Sequence, residues 1–233
     1  MRKFLSPLIK NHYRVIFRSL IYSDKSFAKV DLIKLKFNKD CMLGNKNDSL
    51  YMPIDEIITP HVFKKGNWEY GIIKFIKEKI RHEKHSFIDV GANIGLITKQ
   101  LIIKKIKLKS IFCFEPNERN FSCLKKNVGI YKNVKLYNYG LGLKNTKKKL
   151  YSEKMNFGDC SFKKKTKNFQ LSKIKNINTF FKKNIKELEN VNLIYKSDTQ
   201  GMDEIIFLSI KTDYLDKIKI ASLEITNHEY LKK

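Results

Sequence analysis

The sequence predicts an α/β fold, a parallel sheet with helices on both faces, on three observations. Short apolar runs alternate with segments of helical apolar spacing, turn residues stand where the runs end, and the intervals between runs suit right-handed crossovers. A length of 233 residues fits one sizeable core with an appendage. A composition of 42% hydrophobic, 12% aromatic and 30% charged residues excludes disordered, collagen-like and coiled-coil classes.

In chain order, 1–65 reads as a lead-in and 66–233 as the main domain. The start, 1–22, mixes Arg2, Lys3, Lys10, Arg14 and Arg18 with Phe4, Leu5, Leu8, Ile9 and Phe17. This is a basic amphipathic pattern, without the long apolar run and small-residue cleavage site of a signal peptide. The stretch 31–63 reads as irregular or hairpin-like, with turn signals at Gly44-Asn45 and Pro53. Apolar spacing predicts a helix over 68–80. A strand over 86–90 ends at Gly91, and a helical pattern follows through Leu96, Ile97, Leu101 and Ile102. A second strand, 110–115, is stopped by Pro116 before a helix over 117–128. A third strand runs 134–139. A lysine-rich stretch after it carries no readable pattern. A helix over 179–188, a strand over 192–197, a turn at Asp198–Gly201 opening another helix, and a last strand over 218–225 complete the reading.

The formal net charge of +25 ordinarily favours nucleic acid or an anionic surface. Here the lysines are spread through the chain, which reads as a solvated basic surface more than a nucleic-acid face. Cys41, Cys113, Cys123 and Cys160 form no C-x-x-C pair, and His12, His61, His82, His85 and His228 have no ligand spacing, so no metal is expected. The expected location is cytoplasmic, with contact at the inner membrane surface left open.

Ligands of an open parallel sheet sit beyond the carboxyl ends of its strands. Gly91 and Gly95 fall in the first strand-to-helix turn, where glycine permits a tight turn and close ligand approach. Glu115 ends the next strand 20 residues after Gly95, the distance at which an acid reaches the hydroxyls of a bound ribose. A nucleoside ligand is therefore expected. The run Asp89-Val-Gly91-Ala92-Asn93-Ile-Gly95 lacks the middle glycine of a dinucleotide fingerprint and puts a carboxylate before the first. A carboxylate repels a pyrophosphate and attracts a sulfonium and an ammonium. Asp89 thus favours S-adenosylmethionine over a dinucleotide.

Phe-Ile-Asp89-Val-Gly-Ala-Asn93-Ile-Gly95, Phe-Glu115-Pro116-Asn117 and Lys196-Ser-Asp198-Thr-Gln200-Gly201-Met-Asp203 resemble the successive signatures of FkbM-type methyltransferases, as does Gly66-Asn-Trp68-Glu69. The resemblance implies a Rossmann-like class I methyltransferase sheet with helices on both faces, S-adenosyl-L-methionine as cofactor, and O-methylation of a sugar or small-molecule hydroxyl. It implies that Asp89, Gly91, Ala92, Asn93, Gly95, Glu115, Pro116, Asn117 and Asn138 bind the cofactor. Asp198 becomes the base or acceptor-orienting group, a role compatible with capping the next helix, and Gln200 and Lys196 hold the acceptor. For Lys196 the plainer expectation is a stem that snorkels to the sheet end. Ser197 stands where the family usually has an apolar residue, and Asp203 where it commonly has Glu. The chain stops soon after the fifth strand, so the sheet is expected to lack its last strands. An RNA ribose methyltransferase and a truncated, non-catalytic nucleoside-binding relic remain the competing expectations.

Overall fold

The structure, a computed structural model, describes residues 32–36, 41–44, 48–53, 57–80, 83–153, 156–163 and 165–225. The expected basic amphipathic segment at 1–22, with His12, His82 and His228, lies outside them.

The described chain opens on an antiparallel pair, β1 (Leu32–Lys36) and β2 (Ser49–Pro53), then helices α1 (Ile58–Lys65) and α2 (Tyr70–Lys79). Alternating units follow: β3 (His85–Val90), α3 (Leu96–Ile103), β4 (Leu108–Phe114), α4 (Glu118–Val128) and β5 (Val134–Tyr137). Four strands come next, β6 (Gly140–Gly142), β7 (Thr146–Glu153), β8 (Asn156–Ser161) and β9 (Phe169–Asn176). The remainder is α5 (Ile177–Lys183), β10 (Asn192–Ser197), α6 (Asp203–Leu208), α7 (Thr212–Leu215) and β11 (Ile218–Leu223).

The central sheet has the order β11-β10-β3-β4-β5 and every pairing in it is parallel. Phe87, Ile111, Cys113 and Ile194 meet α2, α3 and α4 on one face through Ile73, Ile76, Ile97, Leu101, Leu124 and Val128. Ile88, Val90, Phe112, Phe114 and Tyr195 meet α5 and α6 on the other through Phe180, Phe181 and Ile206. This is a Rossmann-like α/β fold, with helices on both faces as expected. Each fully buried side chain of this size contributes roughly 1.5–3 kcal/mol. Strand order reverses between β3 and β10, and their carboxyl ends open the crevice where such folds bind ligands.

The stretches 41–44 and 48–53 are bound into the same body. Leu43, Leu50 and Met52 are buried against Ile94, Leu96 and Cys123. Buried Asn127 on α4 accepts from the Tyr51 N–H at 2.7 Å and donates to the carbonyls of Tyr51 at 2.7 Å and Ile94 at 2.8 Å. One amide therefore ties β2 and the loop after β3 to a single helix. Asn127→Ala leaves three backbone groups without this partner, and roughly 3 kcal/mol of stability is expected to be lost. A urea midpoint lowered at unchanged slope checks this, and a loss under about 1 kcal/mol contradicts it.

The lysine-rich stretch forms a second sheet of order β6-β9-β7-β8. The expected strand over 134–139 is corrected. β5 ends at Tyr137, and Gly140–Gly142 crosses to pair with β9, where Gly142 has no Cβ to strike the Ile174 methyl that would stand 2.7 Å away. The helix expected over 179–188 spans only Ile177–Lys183, capped by Asn176, which accepts from the Thr179 N–H.

Candidate functional site

The loop after β3 is set by a buried ion pair. Parallel register places Lys196 of β10 beside Asp89 of β3. The Lys196 ammonium lies 3.2 Å from Asp89 Oδ1 and donates to the Gly91 carbonyl at 3.0 Å, while Thr98 Oγ1 of α3 donates to Asp89 Oδ2 at 2.8 Å. Asp89 is wholly buried and Lys196 nearly so. Burial pulls the Lys196 pKa down, but the charges of Asp89, Asp198 and Glu69 outweigh it and hold it above the ordinary lysine value. The Lys196 stem carries its ammonium to the carboxyl end of the sheet, where it is buried against Asp89 and the Gly91 carbonyl. Asp89 is wholly buried against Lys196 and lines neither cavity described below. Its charge is spent on Lys196 and on shaping the loop.

That loop needs left-handed backbone at Gly91, φ 73°, Asn93, φ 53°, and Gly95, φ 83°. Asparagine tolerates this region better than most residues. The Gly91 and Ala92 N–H groups both donate to the Phe114 carbonyl, at 3.0 and 2.9 Å, which lashes the loop to the end of β4.

Glu115 follows at that end. Its Oε2 accepts from the Asn93 N–H and its Oε1 from the Asn117 N–H, both at 2.8 Å, and Asn138 Nδ2 donates to its carbonyl at 2.9 Å. Burial pushes its carboxyl up to about 7 against the opposing pull of those N–H groups and of Lys196. Asn117 caps α4 by accepting from the Asn120 N–H at 3.1 Å. A cavity of about 400 Å³ opens beside Gly91, Asn93, Glu115 and Pro116, with Gly140, Leu141 and Met202 on its other walls.

A larger cavity of about 690 Å³ adjoins it, and Asn93, Gly158, Asp198 and Gln200 border both. Its lining includes Trp68, Glu69, Asp159, Lys196 and Glu224. Gln200, left-handed at φ 54°, donates through Nε2 to Asp198 Oδ1 at 3.0 Å and to Glu224 Oε2 at 3.2 Å. Burial and the neighbouring Asp198 carboxylate push Glu224 up to about 7. Burial likewise raises the Glu69 pKa, against Lys196. Asp198 does not cap the following helix. That helix begins at Asp203, whose Oδ1 accepts from the Thr199 N–H at 2.9 Å and from the Ser197 hydroxyl, so the Asp198 carboxylate stays at the cavity wall.

Of the residues expected from sequence, Gly91, Asn93, Glu115, Pro116, Asp198 and Gln200 meet at the smaller cavity, and Lys196 borders the larger. Asp89, Ala92, Gly95, Asn117 and Asn138 stand behind them as the scaffold of the loops. Glu69, Asp159 and Glu224 were not among the expected site residues. Glu224 follows a parallel strand directly, the position that singled out Glu115 and Asp198. Glu69 lies within the quoted Gly66–Glu69 segment; Gln100 holds the adjoining Trp68 by donating to its carbonyl at 2.7 Å and accepting from its N–H at 3.2 Å. Among the described residues, no group of His, Cys, Asp and Glu is placed to hold a metal ion, and no helix is long and apolar enough to cross a membrane.

No protein-family model matches the chain, and no curated protein matches its sequence. Among solved structures it is similar to the crystal structure of methyltransferase FkbM from Methylobacillus flagellatus KT, at a TM-score of 0.37 and 14% identity. That alignment covers 61% of this chain and 33% of the other, so the chain spans about a third of the length of the protein it resembles.

Proposed function

We propose that this chain is an S-adenosylmethionine-dependent methyltransferase that O-methylates a hydroxyl of a sugar or other small molecule. The observation that carries the reading is Glu115, a strand-end carboxylate aimed by two backbone N–H groups at the edge of a cavity beside the β3–β10 reversal. Ribose hydroxyls are donors that such a fixed acceptor suits. The buried Asn93 Oδ1, which has no hydrogen-bond partner, is a second acceptor on the wall between the cavities and fits a ligand that brings its own donor. With Asp89 neutralised, attraction for a cationic donor falls to Asp198, Glu69 and Glu224.

When bound, S-adenosylmethionine supplies an electrophilic methyl group. Gly91, Asn93, Glu115 and Pro116 would hold its nucleoside in the smaller cavity, leaving the larger one for the acceptor. Glu224, pushed up to about 7 and joined to Asp198 through Gln200, is placed to take a hydroxyl proton near neutral pH. Trp68, Ile57 and Ile72 give the same cavity an apolar wall against which an acceptor can be positioned.

Calorimetric titration with S-adenosylmethionine tests the reading. Wild type binds, and Glu115→Ala weakens binding roughly 10- to 100-fold, the loss of hydrogen bonds to a charged acceptor. Asp198→Asn keeps affinity within a few-fold and loses transfer of labelled methyl to a surface-glycan extract. Absence of wild-type binding, or wild-type affinity in Glu115→Ala, overturns it.

A further inference from the structure

We infer that the outer face of the second sheet is a docking surface for an anionic phospholipid membrane. In this sheet β9 alternates strictly in burial, while β7 exposes Lys147, Lys148 and Lys149 before the buried Leu150. Gln170, Ser172 and Ile174 of β9 turn inward, and Thr146, Lys148, Leu150 and Ile174 line the smaller cavity. The opposite positions face solvent. Register sets Lys147 across from Lys173, Lys149 across from Leu171 and Tyr151 across from Phe169, with Lys175 next along β9. Leu171 is 62% exposed and Phe169 50%, and the four lysines are exposed.

Two features of this face oppose a merely solvated role. Like charges directly across a strand pair destabilise it, yet Lys147 and Lys173 are so placed, and among the described residues no carboxylate pairs with Lys147, Lys149, Lys173 or Lys175. An anionic partner removes that repulsion. Further, the lysines surround an apolar centre that a folded monomer gains nothing by exposing. Cations around exposed apolar side chains are the elements of an interfacial membrane site, apolar groups entering the headgroup boundary and lysines meeting anionic lipid.

A single-stranded nucleic acid also meets lysines and aromatic rings on sheets, but it needs free ring faces for base stacking. The Phe169 ring already has the Lys149 ammonium 4.2 Å from its centroid and the Tyr151 ring 5.8 Å away. The most exposed apolar residue of the centre, Leu171, is aliphatic and offers no stacking face. Lipid is thus the better match. The inference is independent of the methyltransferase reading, since none of Lys147, Lys149, Phe169, Leu171, Lys173 and Lys175 borders either cavity.

Vesicle co-sedimentation tests it, using full-length protein with neutral phosphatidylcholine vesicles and with vesicles containing phosphatidylglycerol. Binding is expected to the anionic vesicles only and to fall with added salt. Lys147→Gln, Lys149→Gln and Lys173→Gln together weaken it on the order of 100-fold, about five-fold per lysine removed. Leu171→Ser weakens it several-fold at unchanged net charge. The triple Lys104→Gln, Lys105→Gln, Lys107→Gln, at the opposite end of the central sheet, binds within a few-fold of wild type. Equal loss in both triple variants reduces the effect to bulk charge and overturns the proposal. Binding to neutral vesicles, or preference for single-stranded RNA over anionic vesicles, overturns it too. Circular dichroism confirms that each variant folds.

Discussion

Replacing Lys196 with methionine is expected to cost 3–5 kcal/mol of folding stability, because it leaves the Asp89 carboxylate wholly buried and without its counter-charge. Thr98 still donates to Oδ2, but Oδ1 loses the only cation it meets among the described residues. At this chain length a loss of that size lowers the melting temperature by on the order of 10 °C. The double variant Asp89→Asn, Lys196→Met removes both charges and is expected to recover most of the loss. The two residues then act through one pair, and their effects are strongly non-additive. Equilibrium denaturation of the two single variants and the double variant measures this. A cost under about 1 kcal/mol for Lys196→Met, or a double variant no better than the single, shows that the ion pair does not hold the two strands as described.

Gly91→Ala is the second large effect. A Cβ at Gly91 would stand 1.9 Å from the Asp198 carbonyl oxygen and 2.9 Å from its carbonyl carbon, and the residue sits at φ 73°. Both contacts are backbone, so no side-chain rotation relieves them. The left-handed conformation alone costs an L residue about 1–2 kcal/mol. The contact forces apart the loops after β3 and β10, which border the smaller cavity. A loss of roughly 3 kcal/mol or more is expected, together with loss of ligand binding there. Gly71→Ala is the control. Gly71 lies in α2 with nothing within 4 Å of an added Cβ, and alanine there is expected to stabilise by about 0.5–1 kcal/mol. Urea denaturation of both variants decides the matter. Equal effects at the two glycines contradict the close approach.

The central sheet was legible because its strands are buried on both faces and read as continuous apolar runs, as β4 does from Ile111 to Phe114. The second sheet was not. In β7 only Leu150 is buried, and three successive exposed lysines precede it, so no apolar rhythm marks it as a strand. Its conformation is fixed by backbone pairing with β9. The acids at the strand ends were legible by position, since a carboxylate just past a parallel strand falls at the crevice. What each acid does was not. Asp89 and Asp198 end neighbouring strands and look alike in one dimension, yet one is sealed against Lys196 and the other stands at a cavity wall.

The sequence by itself determined the parallel order of the core, the sharp loop at Gly91–Gly95 and the placing of Glu115, because these follow from local spacing, chain chirality and the freedom of glycine. Only the tertiary structure decided which carboxylates face ligand space and which are neutralised within the protein. That depends on side-by-side strand register and on burial, and both are set by residues a hundred positions apart, as Asp89 and Lys196 are.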